Sequence, residues 1–163
     1  MTRRVAVFID AGDQYFRINK KFHTARLNYE KYIAAAEKFG ILSHKFAYGT
    51  QIGDNAINFI TALKHLGFDT NYASIEKEVW YHWDAGISLD IARLCGKVDT
   101  IVLGSSSRHM AHAISWAKEH GVYVVIIACG ICSELRAVAN ECIEITKEML
   151  EGAEDYANDA DTA

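Results

Sequence analysis

Four aspartates carry the chemistry this sequence could do. Asp10 ends the unbroken apolar run Val5-Ala6-Val7-Phe8-Ile9, and Asp13 follows just after Gly12. Asp84 and Asp90 lie in the stretch HWDAGISLDIARL. A continuous apolar run of that length reads as a strand buried on both faces, as in a parallel sheet. A carboxylate at the C-terminal end of such a strand stands where open α/β sheets bind ligands. Gly12 permits a tight turn, and Asp13 either caps the next helix or turns a second carboxylate toward the first. From these residues alone, Asp10 reads equally well as a site residue or as a helix cap.

Asp84 and Asp90 are informative through their spacing. A helix over Asp84–Leu94 puts Ile87, Ile91 and Leu94 on one buried stripe. At about 100° per residue, each of the two acids lies about 60° to one side of Ile87. Carboxylates flanking a buried face are costly unless paired, capped or metal-bound. Asp84, at the helix start, has a ready explanation as a cap; Asp90, a turn and a half in, has none.

A third chemical stretch is Gly104-Ser105-Ser106-Ser107-Arg108. A strand, a glycine and three serines at a helix start make an anion site, or simply a serine cap. Arg108 and His109 could reach an anion held there. Cys129-Gly130-Ile131-Cys132 is a C-x-x-C at a helix start, where thiol acidity rises. It comes late in the chain, which contains no proline, so a thioredoxin-like site with its cis-proline is not supported. Cys95 and Cys142 lack the paired spacing of a zinc site, and buried structural cysteines are the reading adopted. No G-x-G-x-x-G follows the first strand, which excludes the dinucleotide-binding fingerprint. The seven histidines show no metal spacing. His82, beside Asp84, is the one placed to contact a phosphate or move a proton.

The elements that must position these residues alternate between strand and helix. The pattern predicts helices over Gln14–Phe22 and Tyr29–Phe39, the second capped by Asn28 and closed by Gly40. A strand over Ile41–Tyr48 and a loop over Gly49–Gly53 follow. Asp54 then caps a helix carrying Ile57, Ile60 and Leu63. Phe68–Ile75 reads as a strand. Glu76–Trp83 either extends it or forms an aromatic loop over a cleft. After the helix at Asp84–Leu94 come a strand at Thr100–Leu103, a helix bearing Met110, Ala113, Ile114 and Ala117, and a strand at Val122–Ala128. A helix over Ser133–Cys142 and a short final strand over Ile143–Ile145 end the series. This is a three-layer α/β/α fold on a mainly parallel sheet of about five strands.

The chain has 163 residues, half of them hydrophobic, and a net charge of −4. That length suits one domain with a substantial core. The last sixteen residues hold six acids and no base, so residues 1–147 carry 17 basic against 15 acidic side chains. The sequence divides into a domain over 1–147 and an acidic, solvated tail over 148–163. Seven bases fall between Arg3 and Lys31, among them Arg17, Lys20 and Lys21, a cluster that could follow a nucleic-acid backbone or form a solvated helix face. No apolar run is long enough to span a membrane and no signal peptide opens the chain, so a cytoplasmic location is expected.

Taken together, three stretches resemble a known family. VAVFIDAGDQYF resembles the first motif of NYN domains, the LabA-like branch of the PIN-like nucleases, in which an apolar strand leads to Phe-Ile-Asp, a small-residue turn and Asn. HWDAGISLDIARL resembles that branch's Trp-Asp-Val-Gly-(Ile/Leu)-x-(Leu/Val)-Asp helix. TIVLGSSSRHMAHAISWAKEHGVYVVIIA resembles the strand, Gly-Asp-x-Asp turn, helix and strand that follow. The match runs in order from residue 4 to about 145.

The resemblance implies a metal-dependent phosphodiesterase acting on RNA, with Mg²⁺ or Mn²⁺ held by acids at the C-terminal edge of the sheet. Carried over by position, the resemblance implies Asp10, Asp84 and Asp90 as the catalytic and metal-binding set, with Asp10 and Asp84 as ligands and Asp90 as a ligand or the residue that orients one. Asp13 stands where the family has asparagine. Asp13, Arg17, Ser105, Ser106, Ser107 and Arg108 are the candidate substrate contacts. The chain departs from the family at the Gly-Asp-x-Asp turn, where serines replace both carboxylates. A two-metal site is therefore not expected. Mg²⁺ can be held by one or two carboxylates plus waters. Two expectations follow, a weak one-metal nuclease or a pseudo-enzyme that binds RNA or a protein partner. Both are compatible with a homodimer.

Overall fold

The computed structural model describes residues 2–51, 56–74 and 82–152. Its first strand, β1 (Arg4–Asp10), is the expected one. Val5, Val7 and Ile9 pack on one face with Ile18, Tyr32 and Leu63, while Ala6 and Phe8 pack on the other with Ile87, Met110 and Ile114. Period-two alternation thus feeds two separate cores, which is why the run carries no polar residue before Asp10.

Five further strands flank β1. These are β3 (Ile41–Gln51), β4 (Asp69–Ser74), β5 (Thr100–Gly104), β6 (Tyr123–Ala128) and β7 (Glu141–Glu144). The sheet order is β4-β3-β1-β5-β6-β7, and every neighbouring pair is parallel. The helices α1 (Ala11–Phe22), α2 (Tyr29–Glu37) and α3 (Ile57–His65) supply one core; α4 (Asp84–Leu94), α5 (Ala111–Glu119) and α6 (Ser133–Val138) supply the other. The three-layer expectation holds.

The chain winds outward from β1 through β3 and β4, then returns to the other side of β1 as β5. The direction of winding therefore reverses between β1 and β5. That is the place where open α/β sheets form a crevice at the carboxyl ends of their strands.

The structure corrects several details. Among the described residues the sheet has six strands, the sixth near the short final strand expected over Ile143–Ile145. The expected helix over Ser133–Cys142 stops at Val138 because Asn140 is captured by the neighbouring strand. Its amide donates to the Val124 carbonyl at 3.0 Å, and its side-chain oxygen accepts from the Val124 N–H at 2.8 Å. The chain is then in register to become β7. Strand β3 continues past Tyr48, with Gly49 and Thr50 paired to Tyr72 and Ala73. A side chain at 49 would meet the Tyr72 ring at under 3 Å, so glycine is what lets the strand run on. Gly12 makes no turn, since α1 begins directly at Ala11. Beyond residue 147 the chain forms β8 (Leu150–Glu151), which pairs with the two-residue strand β2 (Arg26–Leu27), and Leu150 is buried. The expected cap at Asp54, the undecided segment 76–81 and the tail beyond 152 lie outside the described residues. Among the described residues, no helix is long and apolar enough to cross a membrane.

Candidate functional site

The end of β1 makes Asp10 both a cap and a cleft residue. Its Oδ1 accepts the Asp13 N–H at 3.1 Å, which satisfies one open donor of α1. The side chain also lines a cleft of about 360 Å³ shared with Asp13 and Asp84. Asp10 is only 8 % exposed. Burial, opposed by its hydrogen bond from Asp13, and then the like charges of Asp13 and Asp84, push its carboxyl up from 3.8 to about 7. Among the described residues, no ion pair offsets this.

Asp84 comes from the other side of the switch point. It is the first residue of α4, not its cap; Trp83 holds that position without a side-chain cap bond. The Trp83 indole N–H donates to the Gly49 carbonyl at 2.9 Å, and its ring lies 5.5 Å from that of Tyr48. The start of α4 is thereby fixed to the end of β3. Ser107 donates its hydroxyl proton to Asp84 Oδ2 at 3.1 Å. The last serine of the turn after β5 therefore contacts the neighbouring carboxylate.

Asp13 organises the turn after β5. Its Oδ2 accepts the Ser106 N–H at 2.9 Å and the Gln14 amide at 2.9 Å, while Oδ1 accepts from Arg17 at 2.8 Å. Gln14, fully buried, also accepts the Cys129 N–H at 2.7 Å. One polar network thus ties the C-terminal ends of β1, β5 and β6 together. Arg17 pairs with Asp13, and among the described residues neither Asp10 nor Asp84 is in an ion pair.

Not every expected residue is in the cleft. Asp90 accepts the hydroxyl proton of buried Tyr48 at 2.7 Å and a bond from Arg93 at 3.1 Å, outside the cleft lining. That partner, forty-two residues away, explains why an acid is tolerated beside the buried stripe. Ser105 and Ser106 are buried, and the Ser106 hydroxyl donates to the Cys129 carbonyl at 2.6 Å. Arg108 is exposed, away from the cleft lining, and its charge acts on Glu134 of α6. His82 and His109 do line the cleft. Cys129 is buried, and that burial pushes its thiol up, opposite to an activated redox thiol.

Sequence reasoning missed Phe16, Thr50 and Gln14. Phe16 and Thr50 line the cleft. The signal for Gln14 was a polar residue at the position where α1 meets the sheet; nothing in sequence marked Thr50.

The donor set is one of hard oxygens, which suits Mg²⁺ or Mn²⁺ and not zinc. Among the described residues, no three His, Cys, Asp or Glu side chains form a ligand group. Asp10 and Asp84, which both line the cleft, are the residues that would hold a hydrated ion. Burial and the neighbouring acids raise the Asp10 carboxyl to about 7, and a cation there would offset both, which is the observation that favours one.

The NYN domain family model matches residues 4–148. A search of curated proteins finds no match. Among solved structures, a protein of unknown function from Vibrio parahaemolyticus RIMD 2210633 is similar over 92 % of this chain and 97 % of that one, with 17 % identity and a TM-score of 0.83. That likeness shows the fold. A pyrazinamidase/nicotinamidase from Streptococcus mutans UA159 covers 98 % of both chains at 13 % identity, but its TM-score of 0.38 carries no argument.

Proposed function

The chain belongs to the NYN domain family, and from that premise we propose that it is a metal-dependent RNA phosphodiesterase of the PIN-like type, working with a single ion and weakened by the serine turn. One observation carries the reading. Asp10, buried at the carboxyl end of β1, faces a cleft with Asp84, and among the described residues no ion pair balances it.

In this reading Asp10 and Asp84 hold Mg²⁺ or Mn²⁺. The ion, when bound, supplies an activated water and neutralises charge on the phosphate. Ser107 fixes the rotamer of Asp84 by its hydrogen bond. Asp13 acts indirectly, since it holds the β5 turn through the Ser106 N–H and holds Arg17 at the cleft wall. Arg17 then meets an incoming phosphate with its remaining donors. His82 and His109 stand at the rim, where a leaving oxygen can take a proton. Asp90 positions the site from outside by holding Tyr48, against which Trp83 packs. The LabA-like branch is proposed from the motif around Trp83 and Asp84, and the domain expected over residues 1–147 is proposed as the working unit, extended by β8, in the cytoplasm.

A second reading, a non-catalytic RNA-binding or regulatory protein on the same fold, is favoured by the buried, uncharged serine turn. The two separate on cleavage of labelled single-stranded and hairpin RNA with Mg²⁺ or Mn²⁺, run beside Asp10→Asn. Metal-dependent cleavage that the variant lacks supports the enzyme. Salt-dependent binding without cleavage supports the binder.

A further inference from the structure

The helix α1 presents an unusual surface to the cleft. Asp13, Phe16, Arg17 and Lys20 fall at spacings of three and four, so they share one face. Phe16 lines the cleft beside the acids yet is 61 % exposed. Tyr15 is as exposed, but the next residue of a helix turns about 100° away, and Tyr15 is not part of the cleft wall. Lys20 and Lys21 follow one turn on, exposed. An aromatic face beside a basic helix edge and an acidic floor has a definite charge complement. An acidic peptide is repelled by the floor and a basic peptide by the edge. A phosphodiester strand meets the floor through a cation, meets the edge directly, and offers a flat base to the ring.

We propose that Phe16 is the stacking platform for the base of the nucleotide at Asp10 and Asp84, with Lys20 holding the phosphate one step along the strand. This rests on the nucleic-acid reading above and adds to it the residue that contacts the base. The cleft volume, about 360 Å³, is at the lower end for ligand sites and has room for one nucleotide, not a duplex. Stacking tolerates every base, because each has a π face. Recognition at this position is therefore by base area, with purines bound more tightly than pyrimidines.

The test uses the full chain and an eight-nucleotide single-stranded RNA carrying one 2-aminopurine, with Ca²⁺ or with EDTA, read by anisotropy and by 2-aminopurine fluorescence. The expected result is quenching on binding, with the probe position that quenches fixed by register. Phe16→Ala weakens binding about tenfold or more and abolishes the quench. Phe16→Trp retains both, and Tyr15→Ala leaves both unchanged. Lys20→Ala weakens binding and lowers the salt slope by about 0.7 without changing the quench. Because Phe16 is exposed, thermal melting of Phe16→Ala matches the parent and separates stacking from folding. Phe16→Ala that binds and quenches like the parent, or Tyr15→Ala with an equal loss, overturns the platform even where RNA cleavage stands. A parent chain that neither binds nor cleaves RNA overturns the platform and the function together.

Discussion

Replacing Asp10 by asparagine should make the protein more stable, although Asp10 is the residue on which the proposed chemistry depends. Burial and the charges of Asp13 and Asp84 raise its carboxyl from 3.8 to about 7. Between those values the folded chain keeps a proton that the unfolded chain has released. Stability therefore falls as pH rises through the window from about 4 to about 7, and the whole cost is present above it. At about 1.4 kcal/mol per tenfold in proton affinity, an ionised Asp10 costs about 4 kcal/mol at pH 8. Asparagine removes the charge and keeps an oxygen to cap the Asp13 N–H, a bond of 3.1 Å in the parent. Allowing for an imperfectly paired amide, Asp10→Asn should gain about 2–4 kcal/mol at pH 8. At about 2–4 °C per kcal/mol for a chain of this size, the melting temperature rises by about 5–15 °C. The assay is urea unfolding of both forms in EDTA at pH 4, 6 and 8. The gain should be near zero at pH 4 and grow with pH, and added Mn²⁺ should close the gap by stabilising only the parent. A variant no more stable than the parent at pH 8, or a gap independent of pH, refutes the reasoning.

Other consequences follow from the same contacts. Ser107→Asp puts a carboxylate where the hydroxyl now lies 3.1 Å from Asp84 Oδ2. It should destabilise the metal-free protein by about 1–2 kcal/mol and tighten Mn²⁺ binding about tenfold, read by unfolding and calorimetry. Gly104→Ala brings a methyl to 2.7 Å from the Tyr32 hydroxyl, which itself donates to the Ile127 carbonyl at 2.7 Å. The expected loss is about 1–3 kcal/mol, smaller when Tyr32→Phe is added, as a double-mutant cycle would measure. Gln14→Ala leaves the buried Cys129 N–H without its 2.7 Å acceptor and should cost about 2 kcal/mol in urea unfolding.

Much of this was legible in the sequence because the signals were local. The run Val5–Ile9 had to be a central strand, and Asp10 had to end it. The stripe Ile87, Ile91 and Leu94 placed α4 to the residue. What was not legible depended on partners distant in the chain. The partner of Asp90 beside the buried stripe could not be read from spacing, because Tyr48, its hydrogen-bond donor, comes from β3. The residues 133–142 have a helical pattern until Asn140 meets Val124 of β6. Gly12 carried a turn signal, but Asp10 caps the helix at once, so what glycine provides there is an open cleft wall. The uncharged character of the turn Ser105–Ser107 is read directly from the sequence. That Ser106 would face inward to Cys129 while Ser107 faced Asp84 follows from the packing of three strand ends, which no spacing rule encodes.

The central claim is that Asp10 and Asp84 together hold one divalent ion. Its most direct test is titration of the metal-free chain with Mn²⁺ at pH 8, followed by calorimetry and by the Mn²⁺ electron paramagnetic resonance signal. The expected result is one ion per chain, lost in Asp10→Asn and in Asp84→Asn and retained in Asp90→Asn. No binding, or binding that survives Asp10→Asn, would contradict it.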